Sequence, residues 1–400
     1  MRDFKGFEDM ARKIGILGAG QLAYYLALAA KEHGMQVHIA GQSQDEPAFR
    51  VADKVFLTVN SEASSFDGFL ESVDLLVFEN EWLAKLPLAW ELVETCPKIQ
   101  AMQILSNKMD QKNAIKDMGL STPRYVQLTK RESSLEALSE QMAEFKRGFV
   151  LKYATGGYDG LGVFAVSQEG FQQESVKNGA SRFLEHAWQR NIPIFAEEFV
   201  TFDRELALVT TRSTKGDFAF YPLVESIQDR GTCKIVFGPI AKKDLVAQAE
   251  AAAKVFAEKI GLFGTFAIEF FETQGKLHIN EVSPRVHNSG HISLDASPVS
   301  QFDNHIRGVL GGDLGLTHGQ GFFAMVNILG PESYSGAITP PENLPEGCVL
   351  HWYGKSESRP RRKLGHINIA HSSSQEGVKE KWQKALLALE KWEASYDHKK

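Results

Sequence analysis

Residues 265–282 decide the fold. They read TFAIEFFETQGKLHINEV and contain two apolar stretches around one tight turn. The stretches are 266–271 and 277–282, and Thr273-Gln274-Gly275-Lys276 between them is rich in turn-forming residues. Each stretch has the length of a β-strand, so the sequence predicts a hairpin with strands at 265–272 and 276–282.

Each predicted strand carries one glutamate, Glu269 or Glu281, and both lie six residues from Gly275. Residues at equal distances from a hairpin turn face each other on one side of the sheet. Two opposed carboxylates repel, and a divalent cation between them removes the repulsion. We therefore expect Glu269 and Glu281 to bind Mg²⁺, with Asn280 on the other face unless the ladder bulges. The alternative is a pair of solvated glutamates on an outer face.

A glycine-rich segment follows a second apolar strand. Lys152 lies in the strand, at 149–153, and the segment at 155–162 reads TGGYDGLG. Glycines let backbone N–H groups converge on phosphate oxygens, and Lys152 adds a positive charge. The pattern predicts a nucleotide phosphate site, and a flexible hairpin with an exposed lysine is the alternative. A Walker P-loop is excluded, because the Gly-Lys-Ser at 354–356 lacks the upstream glycine.

Two basic segments follow the hairpin. Residues 283–291 read SPRVHNSGH, and strand alternation places Arg285 and His287 on one face. An arginine beside a metal site suits an anionic intermediate, and a histidine there can position a proton or donate a hydrogen bond. Farther on, Lys355 precedes RPRRK at 359–363. This run predicts a site for a substrate phosphate or, alternatively, a solvated basic face.

The first hundred residues alternate strand and helix patterns, which predicts a parallel sheet covered on both faces. The apolar run 14–17 leads into Gly18-Ala19-Gly20 and a helix over 21–33, with strands at 37–40 and 75–78. The glycine turn suits an anionic ligand at the helix N-terminus. A dinucleotide is a second possibility, but no carboxylate follows the second strand at Gly41-Gln42 to bind its ribose. A purely structural turn is the third possibility.

Beyond residue 107 the sequence predicts a helix at 107–119 and then mostly strands from 149 to 239, including one strand over 218–225. Helices at 242–260 and 299–310, strands at 322–328, 349–353 and 366–370, and a closing helix from 377 follow.

Composition excludes several classes of protein. The 400 residues carry a formal net charge of −6, which argues against general nucleic-acid binding. Cys96, Cys233 and Cys348 form no CxxC pair, so they predict no zinc site and favour a reducing, cytoplasmic location. No apolar run reaches the ~18 residues of a membrane helix, and the polar start, with Met10 as an alternative first residue, is not a signal peptide.

Together these segments resemble the ATP-grasp superfamily and, within it, the family of 5-(carboxyamino)imidazole ribonucleotide synthases, over roughly residues 13–370. The glycine-rich segment and the glutamate pair carry the superfamily resemblance. The segments 280–291 (NEVSPRVHNSGH) and 350–368 (LHWYGKSESRPRRKLGHIN) carry the family resemblance.

The resemblance implies a chain of mixed α/β and α+β class with an ATP-grasp fold. It implies an N-terminal Rossmann-like (pre-ATP-grasp) domain at 1–106 and a lid subdomain with the glycine-rich loop at 107–200. A core domain would follow at 201–312, and a small β-rich C-terminal domain at 313–400.

The resemblance also implies roles for the site residues. Arg285, His287 and Lys355 would handle bicarbonate, carboxyphosphate and the reacting amine, and Glu269 and Glu281 would hold Mg²⁺. The implied ATP-binding residues are Lys108, Lys152, Gly156, Gly157, Tyr158, Asp159, Gly160, Gly162, Glu197, Glu198, Phe199, Val200, Glu205, Gln228, Asn280 and Glu281. The implied contacts to aminoimidazole ribonucleotide are Gln21, Leu22, Glu79, Asn288, Arg362 and Lys363. The implied reaction is ATP-dependent carboxylation of that ribonucleotide with bicarbonate in purine biosynthesis, by a homodimer.

The chain departs from the family pattern at three places. The usual G-Q-L-G-R is here Gly20-Gln21-Leu22-Ala23-Tyr24, a frequent histidine is Gln228, and the usual R-P-G-R-K has Arg361 at its centre. Three other functions remain open: formate-dependent glycinamide ribonucleotide transformylase, an NAD(P)-dependent oxidoreductase, and a non-catalytic nucleotide-binding relative.

Overall fold

The computed structural model describes residues 12–58, 64–129, 138, 145–156 and 162–397. Met10 and four predicted phosphate-loop residues, Gly157, Tyr158, Asp159 and Gly160, lie outside the described residues. No helix in the described part of the chain has both the length and the apolar character needed to cross a bilayer.

The N-terminal segment forms a parallel sheet of order β3-β2-β1-β4-β5. Its strands are β1 (Lys13–Leu17), β2 (Gln36–Gly41), β3 (Lys54–Leu57), β4 (Leu75–Phe78) and β5 (Glu94–Thr95). Its helices are α1 (Gln21–Glu32), α2 (Ser64–Leu70) and α3 (Ile99–Leu105). Ile14 and Ile16 pack with α1, whereas Leu17 packs with α2, so both faces are covered and the predicted parallel sheet is confirmed.

A second, antiparallel sheet has the order β6-β9-β7-β8. Its strands are β6 (Tyr125–Leu128), β7 (Gly148–Tyr153), β8 (Val163–Ser167) and β9 (Ile194–Glu198), with α4 (Lys108–Asp117) before it. The helix α5 (Glu174–Gln189) packs on this sheet through Ala180, Leu184 and Ala187. Strands dominate residues 149–239, as predicted, but the helix α5 was not predicted, although Val176, Phe183 and Trp188 extend its apolar face at helical spacing.

The third sheet has the order β15-β14-β10-β12-β13-β16-β20-β18, with β11 paired to β10. Its strands are β10 (Arg204–Arg212), β11 (Phe218–Phe220), β12 (Val224–Asp229), β13 (Thr232–Gly238), β14 (Gly264–Thr273), β15 (Lys276–Ser283), β16 (Phe322–Leu329), β18 (Cys348–Trp352) and β20 (Lys363–Ser372). A small pair consists of β17 (Gly336–Ala337) and β19 (Glu357–Ser358), and the helices are α6 (Lys243–Ile260), α7 (Ser293–Ala296), α8 (Gln301–Val309) and α9 (Gln375–Ala394). The predicted strand over 218–225 is two strands, because Pro222 between them lacks the N–H that a ladder needs.

The third sheet crosses one of the predicted domain boundaries. Strands β16, β18 and β20 follow residue 312, yet β16 pairs with β13 and continues the same ladder. The division at residue 313, like the other predicted boundaries, therefore stays a proposal about folding units.

Candidate active site

The hairpin β14–β15 turns through Gln274 and Gly275, whose φ angles of 51° and 77° suit a two-residue hairpin turn. Thr273 pairs with Lys276, and this register by itself would set Glu269 opposite Asn280. A bulge between Glu269 and Phe270 shifts the ladder by one residue, so that Glu269 faces Glu281. The predicted carboxylate pair is confirmed, and its cause is the bulge as well as the turn.

The two glutamates carry unequal charge. Both side chains are 32% exposed. The Glu281 carboxylate accepts a hydrogen bond from Lys108 Nζ at 2.9 Å. Burial raises the pKa of Glu281, but Lys108 outweighs burial and holds that pKa below its usual value. Burial and the neighbouring Glu281 raise the pKa of Glu269 to about 7.

A cation would relieve this pair, since it favours the ionised form of both groups. Two hard oxygen donors, open to solvent on one face, fit Mg²⁺, which takes its remaining ligands from phosphates and water. Within the described ranges no group of three or more His, Cys, Asp or Glu side chains is placed to hold a metal.

Lys152, at the end of β7, faces the bulge. Its Nζ lies 2.5 Å from Glu197 Oε1 and 3.1 Å from Asn280 Oδ1. The bulge accounts for the second contact, since it allows Asn280 to point toward Lys152. Glu197 was expected to line the adenine, but its side chain is only 2% exposed and sits between Lys152 and Lys112. Only the backbone of Glu197 is left to face a base.

The remaining predicted nucleotide residues surround this centre. Glu198 forms a two-pronged pair with Arg124, with N–O distances of 2.9 and 3.0 Å. Phe199 N–H donates to the Gly148 carbonyl at 3.0 Å, and Val200 follows directly. Burial raises the pKa of Glu205, and a hydrogen bond from Gln228 opposes that rise. The two described glycines of the loop, Gly156 and Gly162, have φ angles of 76° and 80°, a region that favours glycine.

His287 and Arg285 lie on the other side of the carboxylate pair. His287 Nε2 is 3.4 Å from Glu269 Oε1, and burial together with Arg285 holds its pKa well below the usual value. The imidazole is therefore neutral and can exchange hydrogen bonds with a substrate. Arg285 Nε donates to Glu81 at 2.9 Å, and the Arg285 side chain is 18% exposed.

The glycine turn of the N-terminal sheet is closed by a side chain. Glu79 accepts hydrogen bonds from the backbone N–H groups of Gly20 at 2.7 Å and Leu22 at 3.2 Å. Its carboxylate thus takes the place expected for an anionic ligand at the start of α1, where it occupies two of the N–H donors that a pyrophosphate would use. Leu22 is 7% exposed, which leaves Gln21 as the more accessible of the two predicted contacts.

The C-terminal segment lines a crevice together with the start of α1, the end of β4 and the segment after β15. Lys355 Nζ donates to the Lys363 carbonyl at 2.8 Å, and Arg362 donates to the Glu357 carbonyl at 2.7 Å. Lys363 is close enough to His287 to lower the pKa of that histidine, after the larger effects of burial and Arg285. Lys363 therefore lies beside the hairpin, whereas Lys355 and Arg362 lie close enough to Glu46 to lower its pKa, against the larger effect of burial.

Asn288 is engaged elsewhere. Its side-chain amide exchanges two hydrogen bonds with Asn327, at 2.9 and 2.8 Å. A contact from Asn288 to a substrate would require this amide pair to open, so its predicted binding role gains no support from the geometry.

Two of the departures from the family pattern have structural explanations. Arg361 has a φ of 62°, a left-handed conformation that explains why glycine is usual there. Its guanidinium contacts the Asp229 carbonyl at 2.6 Å and Glu332 at 3.1 Å, which compensates for the strain. The ring of Tyr24 lies under the Arg50 guanidinium, 5.7 Å away, so a cation is still present at this place.

Sequence reasoning missed three charged residues of the site. Glu81 holds Arg285, and Lys112 holds Glu197. Glu46 has a carboxyl oxygen without a hydrogen-bond partner among the described residues, and burial together with Glu79 raises its pKa to about 7. The available signals were charged residues beside apolar runs, in the ENE at 79–81 and on the inner face of α4.

Comparison with known proteins gives consistent matches along the chain. Models of the ribonucleotide synthetase preATP-grasp domain, the ATP-grasp domain and the phosphoribosylaminoimidazole carboxylase C-terminal domain match residues 10–106, 113–302 and 324–381. The N5-carboxyaminoimidazole ribonucleotide synthase of Synechococcus elongatus is 34% identical, covering 94% of this chain and 93% of the relative. That of Vibrio cholerae is 35% identical, covering 95% and 96%. The crystal structure of an N5-carboxyaminoimidazole ribonucleotide synthetase with ADP has a TM-score of 0.83 and 32% identity, covering 96% of this chain and 98% of that one.

Proposed function

The chain belongs to the N5-carboxyaminoimidazole ribonucleotide synthase family, and on this premise we propose that it is an ATP-dependent carbon–nitrogen ligase. It carboxylates 5-aminoimidazole ribonucleotide with bicarbonate in purine biosynthesis. The expected ATP-grasp fold, with its N-terminal and C-terminal parts, is confirmed. The transformylase, oxidoreductase and non-catalytic alternatives are not favoured by these relatives.

One observation carries this function: the Glu269–Glu281 pair separates two sets of cationic groups. Lys108 and Lys152 lie on the side of the glycine-rich loop, and Arg285, Lys355 and Lys363 lie on the side of the N-terminal crevice. The first set suits the phosphates of ATP, and the second suits the anionic substrates. A ligase that joins two anions through a phosphorylated intermediate needs both sets in one site.

The chemistry runs in three steps. A bicarbonate oxygen attacks the γ-phosphorus of ATP, the bond to the β-phosphate oxygen breaks, and ADP and carboxyphosphate form. Carboxyphosphate then divides into CO₂ and phosphate. The exocyclic amine of the ribonucleotide attacks the CO₂ carbon and loses a proton, which gives the N-carboxylated product. The Nδ1 atom of neutral His287 accepts a hydrogen bond from Ser289 N–H, so its Nε2–H is placed to donate to a bicarbonate oxygen, and Arg285 is placed to neutralise the carboxylate.

Mg²⁺ fits Glu269 and Glu281, and when bound it would neutralise charge on the transferring phosphoryl group. Lys108 would remain beside Glu281 and face the same phosphates. The glycine-rich loop, through Gly156 and Gly162, would cover them, and exclusion of water would protect carboxyphosphate from hydrolysis.

We also propose that the protein is a homodimer and that it is located in the cytoplasm. The homodimer rests on the family resemblance. The cytoplasmic location rests on the same resemblance and on Cys96, Cys233 and Cys348, which are all free thiols in the structure.

The test is substrate-dependent turnover of the purified chain. ADP release should increase when bicarbonate and aminoimidazole ribonucleotide are both present, and the N-carboxylated ribonucleotide should accumulate in equal amount. Formate with glycinamide ribonucleotide should not replace them. Stimulation by formate would favour the transformylase, and ATP binding without ribonucleotide-dependent turnover would favour a non-catalytic relative.

A further inference from the structure

We infer that Lys112 is a positioning residue whose charge stays with Glu197 and thereby releases Lys152 to bind the phosphates of ATP. The inference rests on the proposed function, because it assumes that ATP is the ligand of this crevice. It assigns a role to a lysine of α4 that has no direct access to the nucleotide.

The geometry shows one buried carboxylate shared by two lysines. Lys112 Nζ lies 2.6 Å from Glu197 Oε2, and Lys152 Nζ lies 2.5 Å from Glu197 Oε1. The side chains of Glu197 and Lys112 are each 2% exposed, whereas that of Lys152 is 12% exposed. One lysine is enough to balance the charge of Glu197, so the second is available for another anion.

Of the two lysines, Lys112 is the one held in place beside the Glu197 carboxylate. Its ammonium group also donates to Thr122 Oγ1 at 2.7 Å and to the Ile279 carbonyl at 3.4 Å, so all three of its protons have acceptors close by. Lys152 is held by Glu197 and Asn280, at the end of the strand that leads into the glycine-rich loop. Its side chain is the more exposed of the two lysines, so it is the one that can turn toward a phosphate.

The helix α4 is fixed against the hairpin by its neighbouring residues. Gln111 exchanges two hydrogen bonds with the backbone of Val282, at 2.7 and 2.8 Å, and Lys108 contacts Glu281. Lys112 therefore occupies a set position between the hairpin and β9.

An unpaired buried carboxylate is costly, and this cost determines when Lys152 can move. With Lys112 present, Glu197 keeps a counter-ion after Lys152 has turned to the phosphates. Without Lys112, the same movement would leave Glu197 buried and unpaired, so Lys152 would remain on Glu197. The loss should appear as weaker nucleotide binding.

The experiment measures binding of the non-hydrolysable ATP analogue AMP-PNP, with Mg²⁺, by calorimetry on the full chain. Lys112→Met should weaken binding by about tenfold or more, which corresponds to about 1.4 kcal/mol. The double variant Lys112→Met/Glu197→Gln removes the charge that traps Lys152, and it should bind within about threefold of the wild type. Lys116→Met, at an exposed position of the same helix, is the matched control and should bind like the wild type.

The rescue distinguishes positioning from a merely structural role. A double variant that binds as weakly as Lys112→Met would overturn the inference, and so would a Lys112→Met variant that binds normally. If Lys112→Met does not fold, as judged by its thermal unfolding, binding of AMP-PNP to the single variant Glu197→Gln tests the inference instead. It should bind the analogue at least as tightly as the wild type, and a tenfold loss in the folded protein would contradict the inference. Carboxylation is assayed separately, so failure of the proposed function would show as binding and rescue without turnover.

Discussion

The hairpin β14–β15 and the crevice beside it are built in different ways. The hairpin places Glu269, Glu281 and Asn280 within 13 residues of sequence, and one turn and one bulge set their positions. The crevice combines the start of α1, the end of β4, the segment after β15 and the loop before β20. Local structure fixes the first region, whereas packing between distant segments fixes the second.

This difference explains where charges are open to ligands and where they are already engaged. In the hairpin, Glu281 is paired with Lys108, whereas burial and Glu281 raise the pKa of Glu269 to about 7, and a cation would favour its ionised form. In the crevice, Glu79 caps α1, Glu81 holds Arg285, and Lys355 contacts a backbone carbonyl. Substitutions in the hairpin should therefore affect the chemistry directly, and those in the crevice should change binding more gradually.

The largest effect should come from Glu281→Gln. Loss of one carboxylate removes both the cation site and the partner of Lys108, so turnover should fall by at least about 100-fold. Steady-state kinetics at several Mg²⁺ concentrations measure the loss. Glu258→Gln, at an exposed position of α6, is the control and should turn over normally. Near-normal activity of Glu281→Gln at ordinary Mg²⁺ would refute the metal assignment.

Acid should destabilise the crevice side. His291 and His366 are completely buried there, and burial, with Lys363 second, lowers the pKa of His291 to about 3. Because the folded-state pKa lies below the unfolded value, the contribution of His291 is constant above about pH 6.5 and declines as the pH falls from there toward 3. At pH 5 this group alone should reduce the free energy of unfolding by about 2 kcal/mol.

Denaturant unfolding at pH 7 and pH 5 measures this loss. His291→Asn should flatten the pH dependence, whereas His318→Gln, at an exposed position, should leave it unchanged. Equal slopes in the wild type and His291→Asn would show that the acid sensitivity has another source.

A smaller effect is expected for Lys355→Ala. Lys355 lies beside the basic run, away from the nucleotide side, so the KM for the ribonucleotide should rise by about tenfold while the KM for ATP changes little. Kinetics with each substrate varied in turn separate the two constants, and Lys116→Ala serves as a control for loss of a lysine. A selective rise in the KM for ATP would mean that Lys355 acts on the nucleotide and not on the ribonucleotide, and it would contradict the prediction.

The smallest effect is expected for Arg361→Gly. Glycine relieves a left-handed backbone worth about 1 kcal/mol, and the lost contacts of a partly exposed guanidinium are worth a similar amount. The free energy of unfolding should therefore change by less than about 1 kcal/mol. A much larger loss would mean that the contacts of Arg361 to Asp229 and Glu332 hold the two loops together.

The sequence predicted the hairpin side well because its signals are local. The two apolar strands and the Gln274-Gly275 turn were predicted correctly, but equal distances from Gly275 gave the Glu269–Glu281 pair only because an unforeseen bulge shifts the register by one residue. The Asn280 contact to Lys152 depends on that bulge, and no spacing rule reveals it. Glu197 looked accessible in sequence because nothing there shows that two lysines enclose it.

The crevice side was predicted less well for a physical reason. Its partners are far apart in sequence, such as Arg285 and Glu81 or Gly20 and Glu79, and only the tertiary fold brings them together. The helix α5 was also missed, although Ala180, Leu184 and Ala187 recur at helical spacing on its buried face. Roles for Gln21, Arg362 and Lys363 stay predictions, since the geometry places them near the crevice without a ligand to contact.

The most direct test of the whole account follows oxygen from bicarbonate to phosphate. If bicarbonate is phosphorylated in this site, ¹⁸O-labelled bicarbonate should deliver one labelled oxygen to each phosphate formed with the N-carboxylated ribonucleotide. Phosphorus NMR or mass spectrometry of the released phosphate measures the transfer, and Glu281→Gln should abolish the labelled phosphate together with the product. Unlabelled phosphate in an otherwise productive reaction would mean that water, not bicarbonate, attacks ATP, and it would contradict the central claim.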